Sequence, residues 1–249
     1  WRDETPVTNA NFGEFIEATN YLSIAERPLN PTDFPGVPKD KLVPGSAVFS
    51  PPKKPVELND STQWWTYVPA AHWRQPKGAN TTAPLQPDLP VVHIAYNDAL
   101  AYCRWAGKRL PTEAEFEYAA RGGLEGKKFS WGDELKPGGR WVANIWQGHF
   151  PNENTGDDRF VETSPVKAFP PNGYGLYDMS GNVWQWVADW YTADYYSTLT
   201  AQSGPAKNPQ GPPSSVNPDG STMPLRVQRG GSYLCSHEFC SRYLVGSRG

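Results

Sequence analysis

The sequence predicts one α+β domain, residues 1–249, with little regular secondary structure. Its 26 Pro and 23 Gly make turns frequent, and its 11 Trp supply large rings that pack against irregular backbone. Helical periodicity is concentrated before residue 123, and short strand-like pieces between turns follow it. A chain of 249 residues can bury a core without disulfide bonds to support it.

The first helix is predicted in "VTNANFGEFIEATNY", where Thr8 is the cap and Phe12, Phe15 and Ile16 recur at helical spacing. Residues 27–90 follow and are rich in Pro, Asn and Asp, so we expect loops to dominate them. The aromatic stretch "QWWTYVPAAHWRQP" within them argues against disorder. Long ordered loops of this kind are usually functional.

A strand and a helix are predicted in "PVVHIAYNDALAYCRWAGK". Residues 91–94 predict a short strand. The helix after it is expected to be capped by Asn97 or Asp98 and to end near Gly107.

A further helix is predicted in "RLPTEAEFEYAARGG", because Thr112 and Glu115 have capping-box spacing and Gly122 is a typical helix end. Beyond it, short strands are expected in "RWVANIW", "SPVKAF", "VWQWVADWY" and "PLRVQRGGSYL". The polar segment "TAQSGPAKNPQGPPSSVNPDGST" predicts a surface loop within the same domain, because strand-like sequence resumes after it.

Charge and cysteine content exclude several classes of protein. The net charge is −3 and basic runs are lacking, which argues against nucleic acid as a partner. No apolar run approaches the length of about 20 residues that a membrane span needs. Three cysteines are too few for a disulfide scaffold, so we expect a cytoplasmic protein. A secretory origin stays open, since the chain begins at Trp1 without an initiator Met.

Two of the cysteines, Cys235 and Cys240, lie five positions apart in "RGGSYLCSHEFCSRY". That spacing places them on different faces of a helix and on opposite sides of a strand, so their sulfurs converge only on a bent backbone. A disulfide, two buried thiols and a soft-metal site all fit this arrangement. A zinc site fits poorly, because it needs four ligands. His237 lies between the two and is either a further ligand or a loop-surface residue.

Five blocks of sequence together resemble the formylglycine-generating enzyme family, also called sulfatase-modifying factors. They are "VTNANFGEFIEAT", "PVVHIAYNDALAYCRWAGKRLPTEAEFEYAARGG", "ANIWQGHFPNENTGDD", "PPNGYGLYDMSGNVWQWVADWY" and "RGGSYLCSHEFCSRY". They occur in the family's order over essentially the whole chain. "GKRLPTEAEFEYAARGG" and "GLYDMSGNVWQW" mark the wider superfamily, whereas the paired cysteines after "GGSYL" are typical of the formylglycine-generating oxidases.

The resemblance implies a C-type-lectin-like fold and an oxidase activity. The implied reaction converts a cysteine within a Cys-x-Pro-x-Arg segment of a sulfatase to Cα-formylglycine, using O2 and a thiol reductant. The implied protein partner is an unfolded or peptide segment of the sulfatase, and we expect the enzyme itself to be a monomer.

The resemblance also implies a copper(I) site between Cys235 and Cys240, which is chemically reasonable because soft Cu(I) accepts thiolates at low coordination number. Ser232 matches a serine near this site and is expected to hydrogen-bond bound oxygen or the substrate sulfur; the alternative is a structural turn after two glycines. Trp184 matches an aromatic residue of the same pocket, and a core position is its alternative. Phe239 stands where relatives often carry Tyr, so a phenolic hydrogen bond to the substrate is lost.

Two calcium sites are implied as well. Side-chain and carbonyl oxygens on Gly- and Asn-rich loops suit this hard cation, although ordinary Asx turns explain the same residues. The implied ligands of the first site are Asn144, Ile145, Asp158 and Phe160. Those of the second site are Asp178, Gly181, Val183 and Gln185. The family usually has Glu at position 185, so the second site is expected to be the weaker one.

The third cysteine, Cys103, is expected to be a buried free thiol, because the partner that it has in vertebrate relatives is lacking here. The family usually extends beyond both ends of this sequence, and loss of its final strand is expected to expose a sheet edge.

Two other functional assignments fit the same sequence. One is a non-catalytic paralogue that binds a sulfatase or another ligand. The other is an iron-dependent sulfoxide synthase, which is disfavoured because His72, His93, His149 and His237 are scattered.

Overall fold

The structure is a computed structural model that describes residues 3–200, 204–218, 220–221 and 223–249. Regular elements are short, and irregular backbone with isolated 3₁₀ turns separates them. This confirms the expected α+β class with little secondary structure. In chain order, the helices and strands of the described part are α1 (Asn9–Thr19), β1 (Gly45–Phe49), β2 (Trp65–Pro69), α2 (Tyr96–Trp105), α3 (Glu113–Arg121), β3 (Gln185–Trp190), α4 (Tyr195–Thr200) and β4 (Arg226–Arg229).

The strands form two antiparallel pairs. In the hairpin of β1 and β2, Phe49 lies opposite Trp65 and Ala47 opposite Tyr67. In the pair of β3 and β4, Gln185 lies opposite Arg229, and the register shifts between Trp186 and Trp190. A shift of this kind indicates a β-bulge, which bends the strand.

Two of the predicted helix caps are confirmed. Thr8 precedes α1, and its hydroxyl accepts the backbone N–H of Asn11. Thr112 precedes α3, accepts the N–H of Glu115 and donates its own N–H to the Glu115 carboxylate. Gly122 ends α3 with a φ of 56°, a conformation that glycine adopts without strain.

The predicted cap of α2 is wrong. The helix begins two or three residues earlier than expected, and Ala95 is the residue before it. Asp98 lies inside the first turn, where its carboxylate accepts the N–H of Ala95 at 2.9 Å. Asp98 therefore stabilises the start of the helix from within its first turn, and not from the cap position that we predicted.

The predicted strand at residues 91–94 is also wrong. This segment is irregular, because His93 has a φ of 58°, which is incompatible with extended backbone. Conversely, residues 27–90 contain the hairpin of β1 and β2, so they are more regular than we expected.

In the second half, "VWQWVADWY" and "PLRVQRGGSYL" contain the predicted strands β3 and β4, while "RWVANIW" and "SPVKAF" are irregular. Helix α4 was not predicted. The described part of the polar segment at 200–222 is largely exposed irregular backbone beyond Thr200, as expected; residues 201–203, 219 and 222 lie outside the described residues.

Four hydrophobic clusters form the core. One joins α3 to β3 and β4 through Phe116, Val187 and Val227. A second packs α1 on α2. The remaining two contain the loops around the cysteine pair: one includes Cys235 and Tyr243, and the other is an aromatic cluster built on Trp64, Trp146 and Phe150. Within the described residues, no helix is both long and apolar enough to cross a membrane.

Candidate active site

The two cysteines after "GGSYL" meet on a tightly bent loop. Cys235 and Cys240 are paired as a disulfide, with Cα atoms 4.7 Å apart. The bend comes from the residues between them, since Ser236 donates its N–H to the carbonyl of Phe239 at 2.7 Å and its hydroxyl accepts the Phe239 N–H at 2.8 Å. Cys240 has a left-handed φ of 58°. The predicted convergence of the sulfurs on bent backbone is confirmed.

Neighbouring loops hold this loop in place. Trp146 donates its backbone N–H to the carbonyl of Cys235 at 3.0 Å, and Tyr233 donates to the carbonyl of Asn182 at the same distance. Gly231 has a φ of 68°, and a Cβ there would lie 2.7 Å from the backbone nitrogen of Tyr243. The cysteine loop is therefore fixed by close backbone contacts that only glycine permits at this position.

The loop forms part of the wall of a large groove, which has a volume of about 2750 Å³. Cys235 is fully buried, whereas Cys240 is half-buried and lines the groove together with Ser232 and Trp184. The hydroxyl of Ser232 accepts the N–H of Leu234 at 3.2 Å, so the structural turn that we considered is present. A hydroxyl that accepts still has its own proton to donate.

The two aromatic residues assigned to the pocket have different surroundings. Trp184 is half-buried and packs on the cluster that contains Cys235. Phe239 stacks on Phe150 with ring centroids 4.4 Å apart and meets Trp64 edge to face at 5.7 Å. Its ring thus belongs to the aromatic cluster while it also lines the groove.

The residues of the first implied calcium site are brought together; Asn144, Ile145 and Asp158 are buried, and Phe160 is half-buried. The carboxylate of Asp158 accepts the N–H of Ile145 at 3.2 Å, the N–H of Phe160 at 2.9 Å and the side-chain amide of Gln147 at 2.8 Å. The same Gln147 amide contacts the carbonyl oxygen of Ile145. Burial raises the pKa of the Asp158 carboxyl, and the neighbouring Asp157 carboxylate raises it further. A buried acid and a carbonyl directed at one point suit a hard cation.

Asn144, which directly precedes Ile145 in the chain, completes this cluster. It is buried, its side chain donates to the carbonyl of Glu162 at 2.9 Å, and its own carbonyl accepts the N–H of Asn182 at 2.8 Å. Asn182 also exchanges hydrogen bonds with the backbone of Ser164. Sequence reasoning missed Asn182, which connects the residues around Asp158 to the cysteine loop. Its left-handed φ of 60° is a property of the folded backbone, which the sequence does not reveal.

The residues of the second implied calcium site are less well arranged for a cation. Asp178 accepts the N–H of Lys167 at 3.1 Å, and burial raises the pKa of its carboxyl. Gln185 uses its side-chain amide to donate to the carbonyl of Asp178 at 2.7 Å. Gly181 and Val183 lie on the turn between these two residues, where the N–H of Gly181 donates to the carbonyl of Gly230 at 2.8 Å. Gln185 offers a neutral amide where the family usually has Glu, so these residues fit calcium less well than those around Asp158.

Within the described residues, neither the histidines nor the third cysteine groups with the pair as a metal-binding cluster. His237 is exposed on the loop, and His93 is held between the hydroxyl of Ser46 and the carbonyl of Pro76, at 2.9 Å from each. Across residues 3–200, 204–218, 220–221 and 223–249, no three His, Cys, Asp or Glu side chains are grouped to hold a metal ion. Cys103 is free, as predicted, but half-buried and not fully buried.

Comparison with known proteins identifies the family. The sequence profile described as "Sulfatase-modifying factor enzyme 1-like domain" matches residues 1–249. The chain belongs to this family. It is 48% identical over 248 residues to the formylglycine-generating enzyme of Streptomyces coelicolor, covering 99% of the chain and 71% of that protein. It is also 44% identical over 190 residues to a mouse protein named inactive C-alpha-formylglycine-generating enzyme 2, covering 76% of the chain and 58% of that protein.

A solved structure supports the fold of this sulfatase-modifying factor domain. PvdO from Pseudomonas aeruginosa superposes with a TM-score of 0.56 at 22% sequence identity, covering 98% of this chain and 71% of PvdO. At that identity the similarity concerns the fold alone, and it confirms the fold that the sequence resemblance implied.

Proposed function

We propose that this chain is a formylglycine-generating oxidase that acts on a cysteine within a Cys-x-Pro-x-Arg segment of a sulfatase polypeptide. The observation that carries the proposal is the convergence of the Cys235 and Cys240 sulfurs at the wall of a groove, beside Ser232 and Trp184. The relatives named formylglycine-generating enzyme support it, since their similarity extends over 98–100% of the chain.

The overall reaction balances with O2 as oxidant and a thiol as co-reductant. The substrate side chain changes from a thiol-bearing methylene to an aldehyde, which removes two electrons and releases the sulfur as hydrogen sulfide. Two molecules of the reducing thiol supply two further electrons and become a disulfide. One O2 accepts all four electrons, and the products are one aldehyde, one hydrogen sulfide, one disulfide and one water.

The two cysteines, in their reduced form, are the residues that would hold Cu(I), because paired thiolates suit this soft ion and leave room for the substrate thiolate. Copper, when bound there, would supply the redox chemistry with O2. The chain's own groups position the substrate: Ser232 can donate its hydroxyl proton, and Trp184 forms an apolar wall of the same groove. Phe239 contributes an apolar surface in place of a phenol.

Calcium would act at a distance from the chemistry. Asn144, Asp158 and the carbonyls of Ile145 and Phe160 would hold the ion and fix a loop whose next residue, Trp146, anchors Cys235. The set of Asp178, Gly181, Val183 and Gln185 is proposed as a second and weaker site, because a neutral amide replaces the carboxylate.

The test uses the whole chain with Cu(I), a thiol reductant, O2 and a peptide containing Cys-x-Pro-x-Arg. We expect the peptide to gain an aldehyde that reacts with a hydrazide, and we expect Cys235→Ala and Cys240→Ala to abolish both product and stoichiometric Cu(I) binding. The matched control is Cys103→Ala, which removes the free cysteine and should retain both properties. A wild-type protein that binds copper and leaves the peptide unchanged would refute the oxidase.

A second candidate is a binding protein of the same fold, and the mouse relative named inactive favours it. This alternative predicts peptide binding without aldehyde formation, with an affinity that Cys235→Ala does not change. Measuring Cu(I) binding and peptide binding on the same preparation separates the two candidates.

A further inference from the structure

One face of the β1–β2 hairpin is apolar and exposed. In an antiparallel pair, residues directly opposite each other project from the same face, and so do residues two apart along a strand. Ala47, Phe49, Trp65 and Tyr67 therefore share one face, since Phe49 lies opposite Trp65 and Ala47 opposite Tyr67. Trp65 and Tyr67 are 39% and 48% exposed. Exposed aromatic rings grouped in this way often mark interaction sites.

This face is continuous with the cysteine loop. Phe239, the residue before Cys240, stacks on Phe150 at 4.4 Å between ring centroids. The ring centroids of Phe150 and Phe49 are 6.0 Å apart, and those of Phe49 and Trp65 are 5.8 Å apart. We call the series Phe239, Phe150, Phe49, Trp65 and Tyr67 the aromatic track; all five residues line the groove that also contains Ser232 and Cys240.

The track is suited to a polypeptide substrate. A reacting cysteine inside a polypeptide has chain on both sides, so at least one flank must leave the cysteine loop along the groove. The three successive centroid distances along the track from Phe239 to Trp65 add up to the length of about five residues of extended chain, at about 3.3 Å per residue. Tyr67 is held in position because its hydroxyl donates to the carbonyl of Val43 at 2.7 Å. A preorganised ring loses little side-chain freedom when it binds.

We propose that Trp65 and Tyr67 form a distal subsite for an apolar side chain of the sulfatase polypeptide, about five residues from the reacting cysteine. This inference rests on the proposed oxidase function, because it takes the substrate to be a polypeptide held at Cys240. The subsite lies outside the span of the Cys-x-Pro-x-Arg motif itself. It therefore distinguishes clients by their flanking sequence.

The test measures binding of two fluorescent peptides in which Ser replaces the reacting cysteine, so that turnover is not required. The long peptide carries the motif with Leu five residues to either side, and the short peptide carries the motif alone. We expect Trp65→Ala and Tyr67→Ala each to weaken binding of the long peptide about tenfold, as for central aromatic residues of other interfaces, and to leave the short peptide unchanged. The matched control is Val216→Ala, which alters a residue that is 64% exposed and does not line the groove.

The possible outcomes separate the subsite from its alternatives, and three of them overturn it. Equal losses for both peptides show general damage to the groove, and unchanged binding of the long peptide shows that the face is not used. A change of the protein from dimer to monomer in Trp65→Ala, measured by sedimentation, assigns the face to a second copy of the chain. If Trp65→Ala and Tyr67→Ala weaken binding of the long peptide alone, but the wild type forms no aldehyde from the peptide with the reactive cysteine, the subsite is supported and the oxidase function is refuted.

Discussion

Replacing Arg229 with Met should destabilise the protein strongly, because it breaks a buried ion pair. Arg229 is 1% exposed and donates to Glu113 at 2.6 Å, to Glu117 at 3.0 Å and to the carbonyl of Val245. Glu113 is fully buried and also receives a hydrogen bond from Arg248 at 2.7 Å. These groups join β4 to α3 directly before the turn that leads to the cysteine loop.

The magnitude follows from the charge that is left behind. Removing one partner of a buried ion pair costs about 3–5 kcal/mol, since the other charge stays desolvated. Arg248 still contacts Glu113, which places the expected loss at the lower end, at about 3 kcal/mol. For a chain of this size, each kcal/mol lowers Tm by about 2–4 °C, so we expect Tm to fall by about 10 °C.

Urea unfolding followed by both tryptophan fluorescence and far-UV circular dichroism measures this loss, provided that the two transitions coincide. The matched control is Arg109→Met, which removes a bidentate surface ion pair, in which both hydrogen bonds to the Glu115 carboxylate are 2.7 Å long. The side chain of Arg109 is 70% exposed, so that variant should lose less than about 1 kcal/mol. Equal losses in the two variants would contradict the assignment of a buried, desolvated pair.

Three further predictions concern pH, backbone and metal. Hydrogen bonds from Arg109 hold the pKa of Glu115 at about 2. Their stabilising effect is therefore present above the unfolded pKa of about 4.3 and disappears as pH falls towards 2. The difference in unfolding free energy between wild type and Arg109→Met should vanish at that pH, and a difference that persists there would contradict this role of Arg109. Gly231→Ala should lower the free energy of unfolding by at least about 2 kcal/mol, because the added Cβ both strains a left-handed φ and collides with the backbone of Tyr243. The control Gly175→Ala should lower it by about 1 kcal/mol, since φ is 76° there and nothing lies within 4 Å of the added Cβ. Equal losses in urea unfolding would show that the backbone at Gly231 moves to accommodate the methyl group. Calcium should raise the Tm of the wild type, and in Asp158→Asn this rise should shrink to what the weaker second site contributes. A calcium response that is unchanged by the substitution would exclude the first site.

Local signals in the sequence predicted the helices well, because a cap acts within one turn. Thr8, Thr112 and Gly122 each have their predicted role for that reason. Ala95 was missed as the start of α2, since its cap bond comes from a side chain inside the helix. The predicted strand at residues 91–94 is wrong because His93 has a left-handed φ, and its ring is held by long-range bonds to Ser46 in strand β1 and to the loop at Pro76.

Long-range contacts explain what the sequence did not reveal. Strand β1 pairs with a strand that lies across an irregular connection, so its short apolar pattern was hidden in a Pro-rich region. The cysteine spacing predicted a bend, whereas the bend itself depends on Ser236 and on the N–H of Trp146 from a distant segment. The candidate site residues came from the family resemblance, which carries long-range information that periodicity does not.

The unequal burial of the two sulfur-bearing residues has a consequence for thiol–disulfide exchange. A small thiol can approach Cys240 from the groove, whereas Cys235 is sealed inside the protein. Attack on the accessible sulfur forms a mixed disulfide there and expels Cys235 as the leaving thiolate. Reduction of the pair is therefore directional, and peptide mapping of a trapped glutathione adduct should find the modification on Cys240.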